Sequence, residues 1–199
     1  IEPDIARRRA NEAAHGMLVL SPRAVERIES YDPPWPMPKI FRMKKAGKVD
    51  RSIFNGDTIN TPSMLCVEDW LDALKWADGY CLPGLIAKSK ANLAVVEEWV
   101  ERNDWVEFLA AAPEIRSHTS VCLSVTAPKV AALPKADQEK FLKGLTGELA
   151  KKKIAYDINP YRDAPPGFRF WCGPTVEAGD IRTALTALEA VYREKVAGL

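Results

Sequence analysis

"TSVCLSVT", residues 119 to 126, decides the fold. Val121, Leu123 and Val125 alternate with Cys122 and Ser124, the period-two pattern of a strand with one buried face. Downstream, Phe141, Leu142, Leu145 and Leu149 recur at helical spacing, which predicts a helix over 136–151. Two short apolar runs follow, "IAYDI" (154–158) and "FRFWC" (168–172), and both read as strands. Ile181, Leu185, Leu188 and Tyr192 then mark the inner side of a last helix. The order β-α-β-β-α predicts an α/β layer with helices packed on a small sheet. Its boundary is set at "APEIRSH" (112–118), giving domains 1–112 and 113–199. The second is expected to fold alone more readily, with a protease-resistant core starting near residue 115.

Upstream, prolines cut the chain into blocks. Ser21-Pro22 reads as a helix cap followed by the first helical residue. That helix ends before "YDPPWPMPK" (31–39), where proline favours an extended path. The basic stretch Lys44 to Arg51 reads as a loop. Thr61-Pro62 again gives a cap and a first helical residue, with Val67, Leu71, Leu74 and Ala77 on one face and Gly79 ending the helix. A second long helix is expected after Pro83-Gly84, with Leu85, Leu93, Val96 and Val100 on one face. Near the start, Met17 to Leu20 reads as a buried strand entered from three arginines, Arg7 to Arg9.

The composition, 47% hydrophobic and 28% charged over 199 residues, is that of an ordinary globular protein. No apolar run approaches the ~20 residues of a membrane span. No targeting segment is evident, and a net charge of +1 argues for neither nucleic acid nor membrane as partner. Cys66, Cys81, Cys122 and Cys172 show no C-x-x-C spacing, and the histidines are His15 and His118, so no metal site is expected. Free thiols fit a reducing cytoplasm.

Chemistry has two candidate places. A helix start beside Asn60 and Thr61 presents N–H groups and a positive dipole end, suited to a phosphate. Capping by Thr61 explains the same residues without a ligand. In "YRDAPPGFRFW" (161–171), strand alternation puts Phe168, Phe170 and Cys172 on one side and Arg169 and Trp171 on the other. Arg169 needs a carboxylate partner, either internal, such as Asp157 or Asp163, or from a ligand, and Arg162 could bring a second positive charge. Glu12, His15 and the run Lys151 to Lys153 read as ordinary polar or solvated residues, and Arg116 and His118, at the domain junction, as hinge or surface.

"EAAHGMLVLSPRAVERIESYDPPWPMPKIFR" (12–42), "TINTPSMLCVEDWLDALKWA" (58–77), "RSHTSVCL" (116–123) and "AYDINPYRDAPPGFRFWCGPTVE" (155–177) together resemble the phosphoserine aminotransferase family, in particular its alphaproteobacterial-type subgroup. The resemblance implies the C-terminal half of a fold-type I pyridoxal 5'-phosphate enzyme, with an incomplete large domain (1–112) and the small β-α-β-β-α domain (113–199). It implies transfer of an amino group from glutamate to 3-phosphohydroxypyruvate, giving phosphoserine and 2-oxoglutarate for serine biosynthesis, in a cytoplasmic homodimer. Asn60 and Thr61 match residues that reach the cofactor phosphate of the neighbouring subunit. Arg169 matches the clamp on the substrate α-carboxylate, and Arg162 is similar to the arginine on the substrate phosphate. The lysine that forms the Schiff base is expected near Arg7, where this sequence has "ARRRAN" (6–11). An arginine keeps its proton and cannot serve, so the chain alone is expected to be inactive. The alternative is a non-catalytic module that pairs with a full-length aminotransferase subunit or binds phosphorylated carboxylates.

Overall fold

The computed structural model describes residues 19–58, 61–161 and 164–199. Part of the expected first strand, residues 17 and 18, lies outside them. Val19 and Leu20 are irregular rather than strand, and Val19 is exposed. Two compact units divide between Lys75 and Trp76.

In the unit that ends at Lys75, helix α1 (Pro22–Ser30) begins as expected: the Ser21 hydroxyl accepts from the Ala24 N–H at 3.1 Å, and Pro22 sits in the first turn. The basic stretch is not a plain loop. Strands β1 (Lys44–Lys45) and β2 (Lys48–Val49) form a hairpin closed by Ala46 and Gly47, both at positive φ. A two-residue turn of that hand matches the twist of paired strands, which is why alanine accepts it beside glycine. Glu29 fastens the hairpin to α1, taking Lys48 Nζ at 2.9 Å and the Val49 N–H at 3.1 Å. Helix α2 (Met64–Asp78) starts two residues later than Thr61-Pro62 suggested. Ser63 supplies the cap, its hydroxyl accepting from the Cys66 N–H at 3.5 Å. With Ser63 in that place, Thr61 and Pro62 stay outside the helix.

In the unit from Trp76, helix α3 (Cys81–Glu101) begins before Pro83-Gly84 and carries that pair in its first turn, where a missing N–H costs nothing. Its inner face holds Asn92, Leu93, Val96 and Trp99. A short strand β3 (Val106–Phe108), unmarked by any sequence pattern, pairs antiparallel with β4 (Ser120–Val125), and β4 pairs antiparallel with β5 (Gly167–Trp171). The sheet order is therefore β3-β4-β5. A one-turn helix α4 (Pro128–Ala131) leads to α5 (Lys135–Lys151), and α6 (Ala178–Val196) closes the chain. Since β3 and β4 lie on opposite sides of residues 112–118, the sheet bridges the expected boundary, and a core beginning near residue 115 would strip β3 from its partner.

The run "IAYDI" is not a strand. Helix α5 ends in a Schellman arrangement: Lys153, at φ 57°, donates to Ala150 O at 3.0 Å, and Ile154 donates to Leu149 O at 3.0 Å. Asp157, at φ 53°, then turns the backbone again. Left-handed residues at both 153 and 157 prevent a continuous pleat. The observed order from β3 is β-β-α-α-β-α.

Val121 and Leu123 of β4 and Phe168 and Phe170 of β5 face the helices and join Leu145, Leu149, Leu185 and Leu188 in one core. Removing each of those leucines from water contributes roughly 1.5–3 kcal/mol. Trp105 binds the layers together. Its ring stacks on Tyr192 of α6, with centroids 3.7 Å apart and planes inclined by 8°, and meets Trp99 and Phe168 edge-on. No described helix is long and apolar enough to cross a membrane.

Candidate functional site

Alternation along β5 presents Arg169 on the face of the sheet away from the core, opposite Cys122 of β4, while Trp171 stands opposite Ser120. The guanidinium has an internal partner: Nη2 lies 3.2 Å from Asp157 Oδ2. The contact is a single hydrogen bond, and the Arg169 and Asp157 side chains are 31% and 86% exposed. A solvated pair of this kind stabilises by at most about 1 kcal/mol. The Tyr161 ring approaches the guanidinium at 5.9 Å, near the outer limit of cation–π attraction. Among the described residues, Nε and Nη1 of Arg169 make no hydrogen bond; each two-point edge of a guanidinium pairs one of them with Nη2, so a bidentate carboxylate meets Asp157 at Nη2.

The loop after β5 is held from inside. Asn92, buried on α3, donates its side-chain amide to the carbonyls of Cys172 and Gly173, each at 3.1 Å, and of Val176 at 2.9 Å. Trp171 Nε1 donates to Thr175 Oγ1 at 3.2 Å, and the indole lies against Gly173, where an added Cβ would collide with the ring. Lys88 and Glu177 close the outside of the loop with a 2.8 Å ion pair. Sequence reading missed Asn92. Its signal was a carboxamide next to Leu93, on the face that also holds Val96.

Thr61, in the other unit, is exposed beside the start of α2, whose first turn carries no acidic residue. A hydroxyl and a helix N-terminus with no carboxylate in its first turn form a donor set that fits a phosphate, the part of pyridoxal 5'-phosphate assigned to it by resemblance. That unit also holds an apolar cavity of about 460 Å³ lined by Ile28, Tyr31, Trp35, Met37, Phe41 and Met43. The other expected positions, Arg7, Asn60 and Arg162, lie outside the described residues, as do Glu12, His15 and Asp163.

The remaining polar candidates have structural work. Arg116 donates Nε to Ala110 O at 3.2 Å, meets Glu97 at 3.4 Å and covers the Phe108 ring at 4.1 Å. His118 is exposed, and Lys151 to Lys153 are solvated as expected, with Lys151 on Glu148 at 2.9 Å. Burial pushes the Cys172 thiol up to about 12, so it stays protonated and is no nucleophile. Among the described residues no cluster of three or more His, Cys, Asp and Glu side chains could hold a metal ion.

No family model matches the chain. The phosphoserine aminotransferase of Methanosarcina barkeri (strain Fusaro / DSM 804) is 53% identical over 182 residues, which cover 91% of this chain and 46% of that protein. That of Methanosarcina mazei (strain ATCC BAA-159 / DSM 3647 / Goe1 / Go1 / JCM 11833 / OCM 88) is 52% identical over the same length and shares. The chain thus spans about half the length of the curated relatives it matches. Across 91% of its residues, this chain is related to the phosphoserine aminotransferases.

Proposed function

We propose that the chain is the substrate-docking half of a phosphoserine transaminase, the C-terminal half of a fold-type I enzyme that works in the cytoplasm as a homodimer. Residues 1–112 would belong to the large domain and 113–199 to the small one, with β3 lent to the small domain's sheet from across that boundary. The observation that carries this reading is the 53% identity to a phosphoserine aminotransferase over 182 residues, a stretch long enough to take in Thr61 and Arg169. Arg169 binds the α-carboxylate of phosphoserine or glutamate by a planar two-point contact that lysine cannot reproduce. Arg162 holds the substrate phosphate. Asn60 and Thr61 donate to the phosphate of pyridoxal 5'-phosphate in a neighbouring subunit. The cofactor, when bound, supplies the electron sink for moving an amino group between carbon skeletons.

With arginine near the position where the family's lysine is expected, this chain supplies no amine to carry the proton at the reacting carbon. The same substitution favours a second reading, a non-catalytic module that binds phosphorylated carboxylates or pairs with a full-length aminotransferase subunit. Titration calorimetry with O-phosphoserine, serine and inorganic phosphate tests the docking role. Phosphoserine is expected to bind more tightly than either fragment and to lose roughly tenfold in affinity with Arg169→Lys. Equal binding by serine and phosphoserine overturns the assignment. Turnover of phosphoserine with 2-oxoglutarate, together with a lysine labelled by pyridoxal 5'-phosphate and borohydride, overturns the absence of a catalytic amine.

A further inference from the structure

We propose that Asp157 is a resident anion for Arg169: its carboxylate holds one arm of the guanidinium until an incoming carboxylate displaces it. The inference rests on reading Arg169 as the carboxylate-binding residue and adds a second residue that sets its affinity. The backbone beside Asp157 is held to the arginine's strand, because the Arg169 N–H donates to Ile158 O at 2.9 Å. The backbone at Asp157 is left-handed, φ 53°, a conformation that aspartate, asparagine and glycine tolerate better than other residues. Those constraints put a carboxylate within 3.2 Å of Nη2 and leave it solvated and monodentate.

That geometry suits a placeholder better than a structural bridge. A built bridge is bidentate and shielded, whereas this one uses one nitrogen and leaves the aspartate in water. Nη2 is held toward Asp157 with the Tyr161 ring nearby, so the guanidinium is oriented before a ligand arrives. A ligand carboxylate offers two parallel bonds against one and wins the exchange. Asp157 is a positioning residue here. It lowers the affinity for every anion that must displace it from Nη2, bidentate carboxylates included.

The test uses the whole chain, with O-phosphoserine as probe and acetate as a minimal carboxylate. Asp157→Asn and Asp157→Gly both keep the left-handed backbone accessible. The Arg169 Nε–H resonance, assigned by its loss in Arg169→Lys, reports the arginine's environment directly. Without ligand, Asp157→Asn is expected to move that resonance. Both Asp157 variants are expected to bind acetate and phosphoserine about two- to fivefold more tightly, the amount a solvated ion pair is worth. An unmoved resonance, or unchanged or weaker binding in both variants, overturns the placeholder while leaving Arg169 as the clamp. Binding that survives Arg169→Lys in every background overturns the clamp itself, and with it the role of Asp157.

Discussion

Replacing Asn92 is the sharpest trial of how the arginine-bearing strand is supported. Its amide carries two hydrogens and serves three carbonyls, two of them on the buried residues Cys172 and Gly173. Asn92→Leu keeps the approximate volume of the side chain and removes both donors. Two net hydrogen bonds at about 1 kcal/mol each, plus part of the cost of leaving buried carbonyls unpaired, give a loss of roughly 2–4 kcal/mol. That is a large share of the ~5–15 kcal/mol by which a typical domain is stable. Asn92→Asp is expected to be worse near neutral pH, because it sets a carboxylate against three carbonyl oxygens. Protonation restores one donor, so its deficit should shrink as the pH falls. Urea unfolding of the whole chain, followed by near-ultraviolet circular dichroism, measures both. The reasoning is refuted if Asn92→Leu costs less than about 0.5 kcal/mol, the scale of a surface substitution, or if Asn92→Asp matches the parent at neutral pH.

Gly167→Ala should cost on the order of 3 kcal/mol, since a Cβ there would run into Leu123 O of the partner strand; exchange of β4 amides with deuterium reads the separation of the strands. Cys81, exposed, should alkylate readily in mild alkali, while Cys172 resists until the chain unfolds; mass spectrometry locates the adducts. Because the buried Cys172 keeps its proton up to about 12 and an unfolded thiol loses it near 9.0, that residue's contribution to stability should fall as the pH rises through this interval, which urea midpoints across the range will show. The Lys48 and Val49 hydrogen bonds hold Glu29 below its usual 4.5, so its support of the hairpin is present above that pH and is lost as the pH drops through the lowered value. The Val49 amide resonance should follow this titration in the parent and not in Glu29→Gln.

The parts of the fold legible in the sequence were those governed by local periodicity. The alternation of Val121 and Leu123 marks β4, the Phe168 and Phe170 pair marks β5, and the leucine spacing marks α5 and α6. What escaped depends on backbone shape or on distant partners. "IAYDI" carries strand-like residues, but Lys153 and Asp157 are left-handed, a state that neither side chain announces. Strand β3 spans three residues, too few to display a period. At the candidate site, the separation of Arg169 from Phe168 and Phe170 was readable from alternation, and Asp157 was among the internal carboxylates the sequence offered as its partner. The tethering of the 172–176 loop by Asn92 was not, because a residue 80 positions away supplies it.

Arg169 also guards the alignment of its own strand. Sliding β5 by one residue along β4 would carry the guanidinium into the layer of Phe168 and Leu123 and turn the phenylalanines out to water. Submerging an unmatched cation costs several kcal/mol, so the misaligned pairing is excluded by the charge itself. The arginine thereby proofreads the sheet that carries it.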